Sequence, residues 1–345
     1  MGVQLLPADV NHAPTIESMT CEISFKPYRR AFRRPLRTAR GEWALREGFL
    51  LRVEQDGQVG YGEVAPIPEF GSETLAEAQA FLQHLQVQAD LPVPQDLPCC
   101  AFALSCAQVA ASADAARTGV YPVSGLLPAG DAGLTRARQR VQAGYRNLKW
   151  KIGVAPVAQE LEWAGQLLDA LPPGVRLRFD ANAGLNPSEL EQWLELLARF
   201  PQQTDYIEQA LACGQEASMA RYMQDYGVPI ALDESLNGKD GARFLEPGAW
   251  SGPLVVKAAL MGEVGALRQR LLPVAAQVVF SSVFETGIAA ESVLALADRL
   301  PDLSVPIGFD TVDAFNDTLN HLPAVAAIDT NARAAYVPEQ IWNSI

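Results

Sequence analysis

The 345-residue sequence predicts an α/β protein in which a parallel eight-stranded barrel follows an α+β segment of ninety residues. Beyond residue 117, short apolar runs alternate with amphipathic helical stretches, a pattern typical of repeated βα units. Equivalent positions in successive runs, from residue 151 to residue 282, recur every 24 to 29 residues. Eight such strands are the number that closes a parallel barrel, and an open doubly wound sheet is the structural alternative.

The N-terminal segment has the alternation expected of antiparallel strands. Residues 21–32 alternate, and residues 48–66 contain Asp56-Gly57 between two strand-like runs. This is a hairpin signal, because glycine tolerates the positive φ of a tight turn. Residues 74–87 then predict a helix.

The remaining chain supplies helices and strands in alternation. One helix is expected to begin after Asn186, since asparagine can cap it and Pro187 suits the first turn; another follows Pro156. The candidate strands are residues 121–127, 147–152, 175–181, 205–209, 228–234, 254–259, 278–282 and 304–309.

Composition excludes several classes of protein. A net charge of -13 and a pI near 4.8 argue against a nucleic-acid partner, because affinity for nucleic acid depends on Lys and Arg neutralising phosphates. The first twenty residues lack a secretory pattern, and the apolar run at 97–116 is interrupted by polar residues, so no membrane is implied and a cytoplasmic location is expected. Five cysteines without a CxxC pair and three histidines indicate neither a disulfide framework nor a zinc site.

Three successive strand candidates end in a carboxylate: Asp180, Glu208 and Asp233. Taken singly, each acid is more readily explained as a helix cap or a group that faces water. Adjacent strands lie about 4.8 Å apart, so the three are expected to converge, and two carboxylates at about 5 Å repel by roughly 3 kcal/mol at an effective dielectric of about 20. A cation would offset this cost, and oxygen ligands suit Mg²⁺ or Mn²⁺.

Lysines flank the acidic series. Lys149 and Lys151 point to one face of the preceding strand, and Lys257 lies on the strand that follows. A lysine acts as a base near neutral pH only if its pKa falls by about three units, or about 4 kcal/mol, and a second ammonium, a metal and burial all favour this. An isolated KxK would be read as a solvated strand end, but its position before the carboxylates favours a catalytic role.

Six short motifs follow one another along the chain: KxK at 149–151, DAN at 180–182, IEQ at 207–209, DES at 233–235, VK at 256–257 and SSxxETG at 281–287. Their order resembles the enolase superfamily, in its muconate-lactonizing-like group. Two further stretches, residues 60–74 and 306–315, resemble a capping-domain loop and the last barrel strand of the o-succinylbenzoate synthase family, which usually has Leu where this chain has Phe309. Residues 36–43 resemble a second cap loop.

The resemblance implies a (β/α)7β barrel with an α+β capping domain. Residues 1–116 would form the capping domain and residues 117–310 the barrel, with residues 311–345 packing back on the cap. The implied reaction is the Mg²⁺-dependent dehydration of 2-succinyl-6-hydroxy-2,4-cyclohexadiene-1-carboxylate to o-succinylbenzoate, through a metal-stabilised enediolate, in menaquinone or phylloquinone biosynthesis. The implied partner is a small carboxylate, and the sequence does not indicate an oligomeric state.

The resemblance also assigns roles. Asp180, Glu208 and Asp233 would bind Mg²⁺, for which Mn²⁺ would be a substitute. Lys151 would abstract the proton and return it to the departing hydroxide, and Lys257 would place a positive charge over the opposite face of the ring. Lys149 would adjust the pKa of Lys151, and Arg178 would have a supporting role. Ser281 and Ser282 would bind the succinyl carboxylate of the substrate. Phe70 and Gly71 would belong to a loop that closes over the substrate.

Two other functions stay open at this point. The first is an N-acylamino acid racemase or dipeptide epimerase of the same superfamily, in which Lys151 and Lys257 would exchange a proton across the two faces. The last strand, at residues 308–311, lacks the close acidic pair expected to hold a free substrate amine, which opposes the dipeptide version. The second is a catalytically silent barrel that binds a carboxylate.

Overall fold

A computed structural model describes residues 21–38, 41–109, 119–238, 240–301, 303, 305–320, 322–331 and 337–345. Its N-terminal part is an antiparallel sheet in the order β1-β2-β3 that packs against two helices. The elements are β1 (Cys21–Thr38), β2 (Gly41–Gln55), β3 (Gln58–Val64), α1 (Leu75–Val87) and α2 (Pro98–Val109).

The predicted hairpin and first helix are confirmed. Asp56 and Gly57 take positive φ angles of 52° and 76° between β2 and β3, as a two-residue turn of this type requires. Helix α1 begins after Thr74, whose side chain accepts from the backbone of Glu77, while the Glu77 carboxylate accepts from the backbone of Thr74.

The second part of the chain alternates strands and helices. The strands are β4 (Val120–Pro122), β5 (Ser124–Leu127), β6 (Asn147–Lys151), β7 (Arg176–Asp180), β8 (Thr204–Glu208), β9 (Ile230–Ala231), β10 (Leu254–Val256), β11 (Val278–Phe280) and β12 (Ala327–Asp329). The helices are α3 (Ala132–Gln142), α4 (Val157–Ala170), α5 (Pro187–Leu197), α6 (Glu216–Tyr226), α7 (Val264–Leu271), α8 (Gly287–Ala297) and α9 (Pro338–Asn343).

The parallel strands close into a ring. Strands β5 to β9 pair in chain order, a bridge between Leu232 and Leu254 joins β9 to β10, and β10 pairs with β11. Parallel bridges then link Ser281 to Gly308 and Ile307 to Val123, next to the first strand. The predicted barrel is confirmed and the open doubly wound sheet is wrong.

Several strands are shorter than the sequence predicts, and two of these differences affect the site. Strand β9 covers two residues and β10 three, so Asp233 and Lys257 lie just beyond strand ends. Asp233 leaves the extended conformation, with φ -124° and ψ -79°, and starts a 3₁₀ turn over Glu234–Leu236. The described part of the β9–β10 connection contains this turn and a second one, Gly241–Leu245, where the prediction of repeated units expects an α-helix.

The C-terminal residues lie against the N-terminal sheet and the start of the barrel. Lys26 Nζ donates to the carbonyl oxygen of Trp342 at 2.9 Å, and Phe32 of β1 bridges to Phe315. The predicted domain boundary at 116/117 falls outside the described residues, so the division into domains stays a prediction. Within the described part of the chain, no helix is long and apolar enough to span a membrane.

Strand β3 and helix α2 pack so closely that their backbones are in contact. A Cβ atom placed on Gly62 would lie 2.0 Å from the carbonyl oxygen of Ala103, and one on Gly60 would lie 1.7 Å from that of Ala107. The alternating glycines of β3 are therefore required by the close approach of this helix, which holds the cap together.

We expect Gly62→Ala to lower the free energy of unfolding by about 2 kcal/mol or more, because the overpacked methyl group forces β3 and α2 apart. Gly165→Ala is the matched control, since Gly165 lies in α4 with open space around the added methyl group. This control should stabilise the protein by up to about 1 kcal/mol. Urea unfolding measures both, and equal stability of the two variants would contradict the packing argument.

Candidate active site

Strand β6 presents its two lysines to the inside of the barrel. Leu148 and Trp150 alternate with them and are buried on the helix-facing side, where Trp150 packs edge-to-face against Trp193 of α5. Residues i and i+2 of a strand share a face, so Lys149 and Lys151 both turn away from this apolar layer. The sequence places them together because the large apolar residues beside them fill the outer layer.

The strand register aligns the predicted site residues. Lys151 pairs with Asp180, the last residue of β7, and Asp180 pairs with Glu208, the last residue of β8. Asp233 and Lys257 follow the ends of β9 and β10, so all five side chains gather at the C-terminal edge of the barrel. Active sites of parallel barrels form at this edge.

Lysine ammonium groups hold the three carboxylates. Lys149 Nζ lies 2.9 Å from Asp180 Oδ2 and 2.7 Å from Glu208 Oε1. Lys257 Nζ contacts both carboxylate oxygens of Asp233. Each predicted metal ligand therefore touches a cation in a nearly solvent-free setting, where such pairs are screened little.

Burial raises the pKa of two of the three acids in spite of the lysines beside them. Burial raises the pKa of Glu208 from 4.5 to about 7, with repulsion from Asp180 and Asp233 adding to the effect and Lys149 opposing it. Burial likewise raises the pKa of Asp233 from 3.8 to about 6 against the attraction of Lys257. For Asp180, burial is outweighed by Lys149 and the other nearby lysines, which lower its pKa.

The two lysines of β6 are shifted in opposite directions. Burial lowers the pKa of Lys151, the charge of Lys149 lowers it further, and Asp180 opposes both. For Lys149, burial acts in the same direction, but Asp180 and Glu208 prevail and raise its pKa well above the usual value. Lys151 is therefore the member of the pair suited to act as a base near neutral pH.

A cavity of about 250 Å³ opens above these residues, between the barrel and the capping sheet. It brings together eight of the residues predicted from the sequence. Those eight are Lys149, Lys151, Asp180, Asp233, Lys257, Ser281, Ser282 and Phe70. The Phe70 ring centroid lies 4.1 Å from Lys257 Nζ, so the cap loop covers this lysine.

Three predicted residues do not line the cavity. Glu208 is 1% exposed and lies below Lys149. Gly71 ends the 3₁₀ turn Pro68–Phe70 with a φ of 85°, which explains the glycine by turn geometry. Arg178 is buried beside Lys149 in the register, and its Nε donates to Asp205 Oδ2 at 2.8 Å, so its contacts are those of a supporting residue.

Ser282 is held by its neighbours in the strand-end segment. Its hydroxyl donates to Glu285 Oε2 at 2.9 Å and accepts from Thr311 Oγ1 at 2.9 Å. Ser281 precedes it and also lines the cavity. These contacts fix the Ser282 side chain at the cavity wall.

Sequence reasoning assigned no role to several residues of the quoted motifs. Gln209 Oε1 accepts from the backbone nitrogens of Asp233 at 3.0 Å and Ser235 at 3.1 Å, which ties the Asp233 turn to the strand that carries Glu208. Asn182 Nδ2 donates to Glu234 Oε1 at 3.3 Å, and both line the cavity. Their place in the DAN, IEQ and DES motifs was the available signal. The cavity lining also includes residues of the quoted stretches to which no role was assigned, namely Trp43, Ile67, Val283, Phe284, Gly308 and Thr311. Leu126 and Leu127 line the cavity and lie outside every quoted motif.

The donor set suits a hard divalent cation. As they lie, no three His, Cys, Asp or Glu side chains of the described residues form a group that could hold a metal ion, since lysines hold the three acids. The acids nevertheless supply oxygen donors, and burial raises the pKa values of Glu208 and Asp233 in spite of the neighbouring lysines. Asp180, Glu208 and Asp233 therefore fit Mg²⁺ by their chemistry.

Comparison with known families separates the two halves of the chain. Residues 36–111 match the family described as MenC, N-terminal domain, and residues 133–299 match the family described as Enolase C-terminal domain-like. The o-succinylbenzoate synthase of Thermosynechococcus vestitus is 36% identical over 282 residues, which cover 79% of this chain and 87% of that protein. The chain belongs to the o-succinylbenzoate synthase family. Its Klebsiella pneumoniae member is 29% identical over 77% of this chain and 83% of that protein.

Solved structures agree with this membership of the o-succinylbenzoate synthase family. The crystal structure of the family member from Thermosynechococcus elongatus BP-1, with Mg in its active site, is 31% identical, covers 94% of this chain and 100% of its own, and has a TM-score of 0.78. The L-Ala-D/L-Glu epimerase of Bacillus subtilis has a TM-score of 0.76 at 16% identity, which shows a shared fold alone. The predicted family, the capped barrel and the classification as a carbon–oxygen lyase are confirmed.

The raised pKa values predict how stability depends on pH. Without divalent cations, the folded protein keeps a proton on Glu208 up to pH about 7, whereas the unfolded chain loses it near 4.5. Folded protein then binds more protons, so its free energy of unfolding should fall as pH rises across this window. Asp233 contributes in the same direction between 3.8 and about 6.

Urea unfolding in EDTA at several pH values measures this slope, which should be smaller in Glu208→Gln. Glu246→Gln removes an exposed carboxylate and should keep the wild-type slope. An identical slope in wild type and Glu208→Gln would contradict the charge argument.

Proposed function

We propose that the chain dehydrates 2-succinyl-6-hydroxy-2,4-cyclohexadiene-1-carboxylate to o-succinylbenzoate with Mg²⁺, and that Lys151 is its acid–base residue. The observation that carries the assignment of the base is the position of Lys151: it lines the cavity beside Asp180 and has a lowered pKa. Family membership supports the reaction.

The reaction needs one proton to move from carbon and one C–O bond to break. Lys151, as a neutral amine, takes the proton from the ring carbon that bears the carboxylate. The electron pair left behind forms the new ring double bond as the neighbouring hydroxyl group departs. Lys151, now an ammonium, gives its proton to that hydroxyl group, so water leaves and the ring becomes aromatic. One residue can perform both transfers because both groups leave from the same face.

Asp180, Glu208 and Asp233 would hold the metal. When bound there, Mg²⁺ would stabilise the negative charge that develops on the substrate carboxylate as the carbon acid ionises. Lys149 stays protonated between Asp180 and Glu208, where it orients both carboxylates and lowers the pKa of Lys151. We infer that Mn²⁺ can substitute, because it accepts the same oxygen donors.

The remaining cavity residues would bind and enclose the substrate. Lys257 would place its ammonium over the opposite ring face, next to Asp233 and the Phe70 ring. Ser281 would donate to the succinyl carboxylate, and Phe70 would help exclude water. The same role predicted for Ser282 is not supported, because its hydroxyl proton is donated to Glu285 Oε2 and its backbone nitrogen donates to Gly308. The product has the chemistry of an intermediate of menaquinone or phylloquinone biosynthesis. A cytoplasmic location and the absence of nucleic-acid and membrane partners are proposed from the sequence alone.

We expect dehydration to require Mg²⁺ or Mn²⁺ and to be lost in Asp233→Asn, because the variant removes one negative charge from the metal site. Calorimetric titration with Mg²⁺ should show weakened binding in parallel. Formation of o-succinylbenzoate is followed by absorbance, and Asp240→Asn, in the loop after the site, is the control. Full turnover after exhaustive EDTA treatment would refute the metal requirement.

The two lysines separate a synthase from a racemase. Lys151→Ala should abolish dehydration, whereas Lys257→Arg keeps a cation that does not deprotonate and should retain measurable dehydration. The same Lys257→Arg protein should lose any racemisation of N-succinylamino acids, which needs a proton carrier on each face.

The ratio of the two activities in one preparation decides the point, since arginine also enlarges the side chain. Equal loss of both activities with Mg²⁺ binding intact would exclude a purely electrostatic Lys257. Wild-type dehydration by Lys151→Ala would exclude the mechanism.

A further inference from the structure

Arg46 of β2 lies behind the outer wall of the cavity and is 4% exposed. Its guanidinium donates to backbone carbonyl oxygens on both sides of that wall. The Nη2 and Nη1 atoms donate to Ala65 and Pro66 at 2.6 and 2.7 Å, and Nε donates to Val283 at 3.0 Å. A single side chain therefore joins a capping-domain segment to a barrel segment.

Both of these segments lead directly into cavity-lining residues. On the cap side, Pro66 is followed by Ile67, with Phe70 three residues further on. On the barrel side, Val283 itself lines the cavity between Ser282 and Phe284. The width of the cavity at this place consequently depends on the length and shape of one guanidinium bridge.

The barrel segment is strained where the bridge holds it. Phe284 has a φ of 62°, in the left-handed region that a non-glycine residue adopts at a cost. Arg46 holds the carbonyl before it, and Arg30 of β1 donates to the carbonyl of Glu285 after it at 2.8 Å. The capping domain thus holds the strained turn from outside, in addition to the hydrogen bonds within the turn.

The chemistry of the bridge is specific to arginine. A guanidinium presents its donors in a rigid planar fork, whereas a lysine ammonium is a point charge on a flexible stem. Among the described residues, the hydrogen-bond acceptors of Arg46 are backbone carbonyl oxygens, and burying a cation against neutral acceptors is costly. Such a costly arrangement is consistent with a geometric role at the site.

We propose that Arg46 is a positioning residue that sets the separation of the two cavity walls and thereby the affinity for the substrate. This inference rests on the proposed dehydration. Arg46 lies behind the wall, and the lysines and carboxylates of the site lie on other elements, so the chemical groups and the metal site should be unaffected by its replacement.

The test compares Arg46→Lys and Arg46→Gln with wild type and with Arg52→Lys. Arg52 lies on the same strand, its guanidinium bonds Glu54 at 2.7 Å, and it does not line the cavity. KM and kcat for dehydration, the Kd of o-succinylbenzoate and the Kd of Mg²⁺ are measured, with circular dichroism to establish folding. We expect KM and the product Kd to rise by about tenfold or more in both Arg46 variants. The Mg²⁺ Kd should stay within about twofold, and the Arg52 variant should match wild type.

Unchanged KM and product Kd in a folded Arg46 variant would overturn the proposal. Parallel loss of Mg²⁺ affinity, or failure of both Arg46 variants to fold, would also overturn it, because Arg46 would then maintain the fold as a whole. Wild-type protein without dehydration would instead refute the proposed function, which these outcomes distinguish.

Discussion

Carboxylates buried together at one edge of a barrel require cations beside them, and the site of this protein is organised by that requirement. Strand register brings Asp180 and Glu208 together, and the turn that follows β9 adds Asp233. Lys149 forms ion pairs with Asp180 and Glu208, and Lys257 forms one with Asp233. Because burial makes an uncompensated charge very costly, removing one member changes the ionisation of the others. The carboxylates and lysines therefore act as one electrostatic unit.

The cap is attached to the barrel through buried polar groups as well as apolar contacts. Glu63 of β3 is fully buried and accepts from the Tyr28 hydroxyl at 2.7 Å and from the backbone of Thr286 at 2.9 Å, at the start of α8. A carboxylate at a helix N-terminus is stabilised by the unpaired N–H groups there. Arg30 and Arg46, on strands of the same capping sheet, donate hydrogen bonds to the backbone carbonyl oxygens of Glu285 and Val283. The cap thus holds the barrel segment that forms one wall of the cavity.

Sequence patterns predicted the secondary-structure elements and the residue types of the site better than the geometry of the site. The βα repeat, the Asp56-Gly57 hairpin and the capped helix at Thr74 follow from local rules, and the structure contains all three. Convergence of the acids followed from parallel strands alone. The ion pair between Asp233 and Lys257 was not predictable from the sequence. It depends on β9 ending after two residues, which places Asp233 beyond the end of the strand. The roles of Trp43 and Phe284 in the cavity wall were not predictable from the sequence, since only tertiary packing brings them to the same cavity.

Lys149 and Lys151 show how position, and not residue type, assigns chemistry. They are two residues apart on one strand face, yet their pKa values move in opposite directions. Lys149 sits lower in the barrel, bonded to two carboxylates, so its charge is stabilised by more than burial removes. Lys151 lies one step nearer the rim, next to the charge that Lys149 keeps. Burial is the main cause of the lowered pKa of Lys151, and the cation held at the first position lowers it further. The KxK spacing is the shortest one that puts both lysines on the same face.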